Sequence, residues 1–130
     1  MKFKEIFNSK GQALVILMFV ALIGMTVIAA AAVVAYGNIS SASVVEQGNY
    51  AYYIAESGVE EGLLRLIRNP SYTGTQAGQP LSINGGSVTI VVSGNTITAT
   101  ATYNSSVRKI KADTVYSNYT RTITSWKEIY

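Results

Sequence analysis

Residues 13–36 read ALVILMFVALIGMTVIAAAAVVAY, and no charged residue occurs between Lys10 and Glu46. A helix of this length spans about 36 Å, which exceeds the roughly 30 Å hydrocarbon core of a bilayer. In lipid, only a helix or a closed barrel satisfies every backbone hydrogen bond, and one segment cannot close a barrel. The stretch therefore predicts a single transmembrane helix.

The flanks of this stretch predict its orientation. Lys2, Lys4 and Lys10 precede it, against one acidic residue, Glu5. An excess of lysine marks the cytoplasmic side, so we expect a cytoplasmic N-terminus and a chain that then crosses the membrane. The alternative is a cleaved signal peptide, and the alanine run 29–32 is consistent with one. The apolar core of a signal peptide is usually 7–15 residues long. The apolar stretch of this chain is longer and continues into further helical sequence.

Residues 38–69 continue the helical pattern, but their apolar residues recur on one side of the helix only. Asn69-Pro70 supplies a stop, because the residue before proline avoids the α region. Gly58 and Gly62 lie four apart on one face, which indicates either a close contact or simple tolerance of glycine. The helix from Leu14 to Arg68 would be about 80 Å long, apolar all round in its first half and amphipathic in its second. The predicted apolar stripe consists of Val45, Tyr52, Ala55, Val59, Leu63 and Leu66.

After Pro70 the composition changes to that of a small sheet. We predict a loop over 70–86 and an antiparallel β-meander over 87–130, because the β-like runs are joined by short turn sequences. Such a sheet needs an apolar partner, and the stripe from Tyr52 to Leu66 provides one. The predicted fold class is therefore α+β. The four predicted strands are Ser87–Ser93, Asn95–Tyr103, Val107–Tyr116 and Tyr119–Ile129.

Two polar patterns on these strands have alternative interpretations. Threonines alternate with apolar residues over 96–103, so one face is buried and the other is free for sugar, another subunit or water alone. Arg108, Lys109 and Lys111 form a basic cluster, for which a solvated strand face is favoured over contact with DNA or anionic polymers. Residues 1–11 hold +2 of the chain's net charge of +3, so the rest of the chain is nearly neutral and does not suit a nucleic-acid-binding body.

The composition excludes most catalytic chemistry. The chain has no His and no Cys, and Asp113 is its one aspartate. Ser–His and Cys–His pairs, thiolate and imidazole ligands for zinc, and disulfides are therefore absent. We expect a protein that is not an enzyme and needs no cofactor or metal.

The N-terminal pattern resembles that of type IV prepilins. A basic leader ends at Lys10-Gly11 and is followed by a long apolar helix, an amphipathic extension and a small sheet. The resemblance implies a leader over 1–11 that a prepilin peptidase removes after Gly11, leaving Gln12 as a methylated N-terminus. It also implies a transmembrane helix that becomes the filament core over 12–37, continued by an amphipathic helix over 38–69.

A second motif is similar to that of PilX-type minor pilins. Residues 55–60 read AESGVE, with Glu56, Gly58 and Glu60 as the motif positions, and the opening GQALVI over 11–16 also resembles that group. In most major pilins the fifth mature residue is Glu, whereas this chain has Ile16. The departure favours a minor pilin or pseudopilin over a major pilin that lacks this acid.

The resemblance implies a structural role in a pilus-like filament. The partners would be other pilin subunits, the prepilin peptidase, the assembly machinery and the cytoplasmic membrane, with the sheet outside for adhesion, motility, DNA uptake or secretion. Gly24 is where the helix would loosen during extraction from the membrane. A single-pass anchored protein and a signal-peptide-secreted β-rich binding protein are the alternatives. The helix-packing residues would be Leu14, Val15, Leu17, Met18, Val20, Leu22 and Ile23.

Overall fold

A computed structural model describes residues 9–76 and 79–129 of the chain. Within them, one long N-terminal helix is followed by a five-stranded antiparallel sheet, which confirms the predicted α+β class. The chain divides into two compact units, Met1–Ser41 and Ala42–Tyr130, which we call the first and second units. The elements are α1 (Ser9–Arg68), β1 (Leu81–Ile83), β2 (Gly86–Ser93), β3 (Thr96–Tyr103), β4 (Ser106–Ser117) and β5 (Thr120–Ile129).

The end of α1 lies one residue before the predicted stop at Asn69-Pro70. Asn69 N donates to Arg65 O at 2.8 Å, and Tyr72 N donates to Asn69 O at 2.9 Å. The Asn69 side chain then accepts from Ser71 N at 3.0 Å. The last two bonds satisfy the Asn69 carbonyl and the amide groups of Ser71 and Tyr72, where the helical bonding pattern has ended.

The sheet is a meander in the order β1-β2-β3-β4-β5. The four predicted strands are present, each with ends within one residue of the prediction. The prediction of a loop over 70–86 was wrong, because β1 lies within it and Gly86 already belongs to β2. The turn between β1 and β2 consists of Asn84 and Gly85, both of which have a positive φ. A strand of three residues is too short for its alternation to be recognised in sequence.

The sheet packs on α1 within the second unit through small residues on the helix. The predicted stripe is correct from Tyr52 to Leu66, with Tyr52 and Leu63 partly buried against the core, but Val45 is 63% exposed. Burial on the helix begins only at Gly48, and periodicity alone does not say where the covering sheet ends. The buried helix residues are Gly48, Ala51, Ile54, Ala55, Gly58, Val59, Gly62 and Leu66.

The core of the second unit joins this helix face to one face of the sheet. Inward-facing residues alternate with exposed or half-buried ones along the central strands, as predicted for β3. Thr114 is the polar member of this set, and its hydroxyl donates to Asn95 O at 2.8 Å. The buried sheet side chains are Val88, Ile90, Val92, Ile97, Ala99, Ala101, Ile110, Ala112 and Thr114.

Candidate functional site and interaction surfaces

The first unit presents an apolar helix surface that no other part of the described chain covers. All seven predicted helix-packing residues are exposed, with exposed fractions from 50% at Val15 to 67% at Leu17. The hydroxyl of Thr26, which interrupts the apolar run, donates to Ile23 O at 2.8 Å and so has a partner within the helix. Among the described residues, α1 is the one helix long and apolar enough to cross a membrane.

The predicted processing site lies at the start of α1. Gly11 and Gln12 are both helical and exposed. A Cβ added to Gly11 would meet no atom within 4 Å. The leader residues 1–8 lie outside the described residues. Relative to residues 9–76 and 79–129, a larger side chain at Gly11 has room.

The residues 55–60 of the AESGVE motif divide between two sides of α1. Ala55, Gly58 and Val59 are buried against the sheet, and a Cβ on Gly58 would lie 2.5 Å from Val88 Cγ2. Glu60 is exposed and Glu56 half-buried. Neither carboxylate forms a salt bridge within the part of the chain that the structure describes. Gly58 therefore has a packing role within this chain, whereas the two glutamates are available to solvent or a partner.

A second apolar stripe, which we missed in the sequence, runs along the side of α1 away from the buried stripe, and its last member, Ile67, borders a cavity beside the β4–β5 hairpin. Tyr53, Leu64 and Ile67 are at least half exposed there. Together with Glu60 they recur at steps of seven, four and three, which places them on one line of the helix. The same helical period that revealed the buried stripe would have revealed this one. We call Tyr53, Glu60, Leu64 and Ile67 the outer stripe.

The predicted basic cluster does not lie on one face of the sheet. Arg108 lies on the helix side, where its Nη1 is 2.9 Å from Glu128 Oε1. Lys109 and Lys111 lie on the opposite face, because neighbouring strand residues point to opposite sides. The grouping of these three residues was therefore wrong. On the outer face a different residue, Lys127, lies directly across from Lys111 in the β4–β5 register.

One carboxylate lies on the same outer face. Asp113 Oδ1 accepts from the Thr96 hydroxyl at 2.7 Å and lies 3.5 Å from Lys111 Nζ. The bond from Thr96, and after it the positive charge of Lys111, hold the pKa of Asp113 below its ordinary value. Asp113 is therefore ionised at neutral pH and offsets part of the lysine charge.

An open cavity of about 500 Å³ lies between the end of α1 and the β4–β5 hairpin. Arg121 is held there by a 2.8 Å bond from its Nη1 to Thr114 Oγ1 and lies over the Tyr116 ring. At the tip of the hairpin, Tyr119 is 96% exposed and has a φ of 61°, which is unusual for a bulky residue. The cavity is lined by Leu66, Ile67, Pro70, Tyr116, Tyr119, Thr120 and Arg121.

No family model, no curated protein and no solved structure matches this chain. The fold and the exposed surfaces define it as an α+β protein with a membrane-length apolar helix. Its function has to be inferred from those surfaces.

Proposed function

We propose that this chain is a structural subunit of a type IV pilus-like filament, of the minor pilin or pseudopilin kind. The observation that carries the proposal is the contrast between the two parts of α1. Its first part exposes apolar side chains on all sides, whereas its second part buries one side on the chain's own sheet. A helix that exchanges lipid neighbours for protein neighbours needs this design.

The apolar surface of the first unit keeps the assembled helix bundle together in water. Each of its large side chains contributes about 1.5–3 kcal/mol when it is removed from water. Lipid covers these side chains before assembly, and the helices of other subunits cover them in the filament. Leu14, Val15, Leu17, Met18, Val20, Leu22 and Ile23 lie in this surface.

The outer stripe supports a filament over a plain membrane anchor. Tyr53, Leu64 and Ile67 lie in the second unit, far along the chain from the apolar run, and an anchor would leave them in water. Glu56 and Glu60 lie four residues apart, an arrangement of like charges that weakens an isolated helix. A neighbouring subunit that covers the stripe and supplies a cation would offset both costs.

The proposed sequence of events begins in the cytoplasmic membrane. The apolar helix inserts with its N-terminus in the cytoplasm and the sheet on the other side. A prepilin peptidase cuts after Gly11, Gln12 becomes the N-terminus, and the assembly machinery lifts the subunit into the filament. Ile16, in place of the usual Glu, leaves the new N-terminal ammonium without its customary partner, which suits a minor subunit. The protein catalyses no reaction in this scheme.

The mature N-terminus distinguishes this proposal from its alternatives. Mass spectrometry of the membrane and sheared-surface fractions should find a chain that starts at Gln12. A start near residues 30–37 would indicate a secreted β-rich protein, and an intact leader would indicate a single-pass anchor. Either result contradicts the proposal.

A matched pair of glycine variants tests the processing step. Added Cβ atoms at Gly11 and Gly37 meet nothing within 4 Å, so Gly11→Val and Gly37→Val are both expected to fold. Gly11→Val should retain its leader and be missing from sheared filaments. Gly37→Val should be processed and assembled as the unaltered chain is. Normal processing of Gly11→Val would refute the mechanism.

A further inference from the structure

We propose that the outer face of the sheet binds a linear polymer in which phosphodiester groups alternate with hydroxyl-bearing carbons. The face is built from three lysines and the threonines beside them, and we call it the lysine–threonine face. It is independent of the filament proposal, because it lies on the side of the sheet opposite to α1. Its residues are Lys109, Lys111, Lys127, Thr89, Thr98 and Thr100.

The strand register brings these side chains together. Thr98, Lys111 and Lys127 form one row across β3, β4 and β5. Thr89, Thr100 and Lys109 form the adjacent row across β2, β3 and β4. Adjacent rows on one face are about 7 Å apart, and neighbouring strands about 5 Å apart. The three ammonium groups therefore originate from one small patch that is bordered by hydroxyls and, in the same two rows, by the apolar side chains of Val91 and Ile129.

The lysine charges on this patch are only partly compensated. Lys111 and Lys127 are directly opposite each other, a pairing that is unfavourable for like charges. Asp113 is the one acid on this face among the described residues, and it pairs with Lys111 at 3.5 Å. Within the same residues, Lys109 and Lys127 form no salt bridge. A bound anion would relieve this repulsion, so the patch is complementary to negative charge.

The other side chains on the face restrict the chemistry of the ligand. The aromatic residues of the strands, Tyr103, Tyr116 and Trp126, share the helix side with buried residues. Among the described residues, the lysine–threonine face thus has no aromatic surface on which a base or a sugar ring could stack, which single-stranded nucleic acids generally require. Ammonium groups bind phosphate as point charges, and threonine hydroxyls both donate and accept. This combination suits phosphate and hydroxyl groups on a flexible chain.

The test measures binding of the full chain, in detergent micelles, to poly(glycerol phosphate). Lys127→Gln should weaken binding about tenfold, as expected for the loss of one hydrogen bond to a charged group. Lys127→Arg should restore most of it. Arg68→Gln is the matched control, since Arg68 is exposed, lies at the end of α1 and has no salt bridge among the described residues. It removes the same charge and should leave affinity unchanged.

Further comparisons separate this proposal from general attraction between charges. Thr98→Val with Thr100→Val should weaken binding with no change in charge, and uncharged dextran should not bind. Trp126 fluorescence checks that each variant is folded. The proposal is overturned if the polymer does not bind at low salt, if Lys127→Gln and Arg68→Gln lose affinity equally, or if duplex DNA binds as tightly. The last result would indicate a nucleic-acid surface.

Discussion

Gly58 shows how one residue determines the distance between α1 and the sheet. Its Cα faces β2 and β3, where an added Cβ would lie 2.5 Å from Val88 Cγ2 and 3.1 Å from Ala99 Cβ. Gly62 is similar, with Ile90 and Ile97 both at 3.0 Å. Glycine weakens a helix interior by about 1 kcal/mol relative to alanine. The close packing of Val88, Ile90 and Ile97 against the helix offsets that cost.

We predict that Gly58→Ala destabilises the second unit by about 1–3 kcal/mol, the usual cost of overpacking a core. The neighbouring Val88 is β-branched and has little freedom to move away. Urea unfolding of the full chain in detergent, followed by Trp126 fluorescence, measures the change.

The control for this experiment is Gly37→Ala, where the added Cβ meets nothing. It should leave the unfolding midpoint of the second unit unchanged. Equal midpoints for Gly58→Ala and the unaltered chain would show that the helix and sheet are not packed as closely as the structure indicates.

At the scale of elements, the β3–β4 pair contains a polar link on its outer face. The Thr96 hydroxyl donates to the Asp113 carboxylate, and Lys111 lies beside it. Both lower the pKa of Asp113. A carboxyl group whose pKa is lower in the folded state stabilises the fold above its unfolded pKa. This contribution is lost as the pH falls through the folded pKa.

We predict that Thr96→Val raises the pKa of Asp113 toward its ordinary value, because the largest cause of the lowering is removed. The free energy of unfolding should then fall less steeply as the solution is acidified below about pH 4. Asp113 is the one aspartate in the chain, so ¹³C-labelled aspartate gives a single carboxyl NMR signal to titrate. Thr98→Val, which removes a hydroxyl that is not bonded to Asp113, should leave the titration unchanged. An unshifted pKa in Thr96→Val would contradict the assignment.

The helix α1 is a single element with two kinds of surface. In the first unit its apolar residues surround the whole helix, whereas in the second unit apolar residues form the buried stripe and the outer stripe. Gly24, where we expect the helix to loosen, lies within α1 and has open space beside it. Loosening at Gly24 stays a prediction, and hydrogen exchange over residues 20–27 would test it.

At the scale of the whole molecule, the hydrophobic core lies entirely in the second unit. The helix residues Ile54 and Val59 and the sheet residues Ile90, Ile97 and Ile110 are all buried there. No buried hydrophobic residue of the described chain precedes Ala51. The first unit therefore adds an apolar surface to the molecule but no part of this core.

We predict that a chain starting at Ala42 folds and stays in solution without detergent, whereas the full chain requires detergent or lipid. Circular dichroism should show helix and sheet, and Trp126 fluorescence should show one cooperative unfolding transition. The midpoint should equal that of the second unit in the full chain. A truncated chain with no cooperative transition would show that the second unit depends on residues before Ala42.

Much of this organisation could be predicted from sequence because it follows from local patterns. The apolar run, the stop at Asn69-Pro70 and the turn sequences determine one helix and four of the five strands. Apolar and polar side chains alternate strictly over residues 96–103, so the prediction of which face of β3 is buried was also correct. Strand β1 was missed since three residues carry no measurable period.

The tertiary structure determined those features that depend on contacts between residues distant in sequence. It showed that Gly58 and Gly62 contact the chain's own sheet, and that Val45 lies outside that contact. It brought Lys127 beside Lys111, because cross-strand register depends on the bulge between Asp113 and Thr114. Local sequence determines the period of each element. Which of its residues meet another element depends on where the two elements pack, and that is a property of the folded chain.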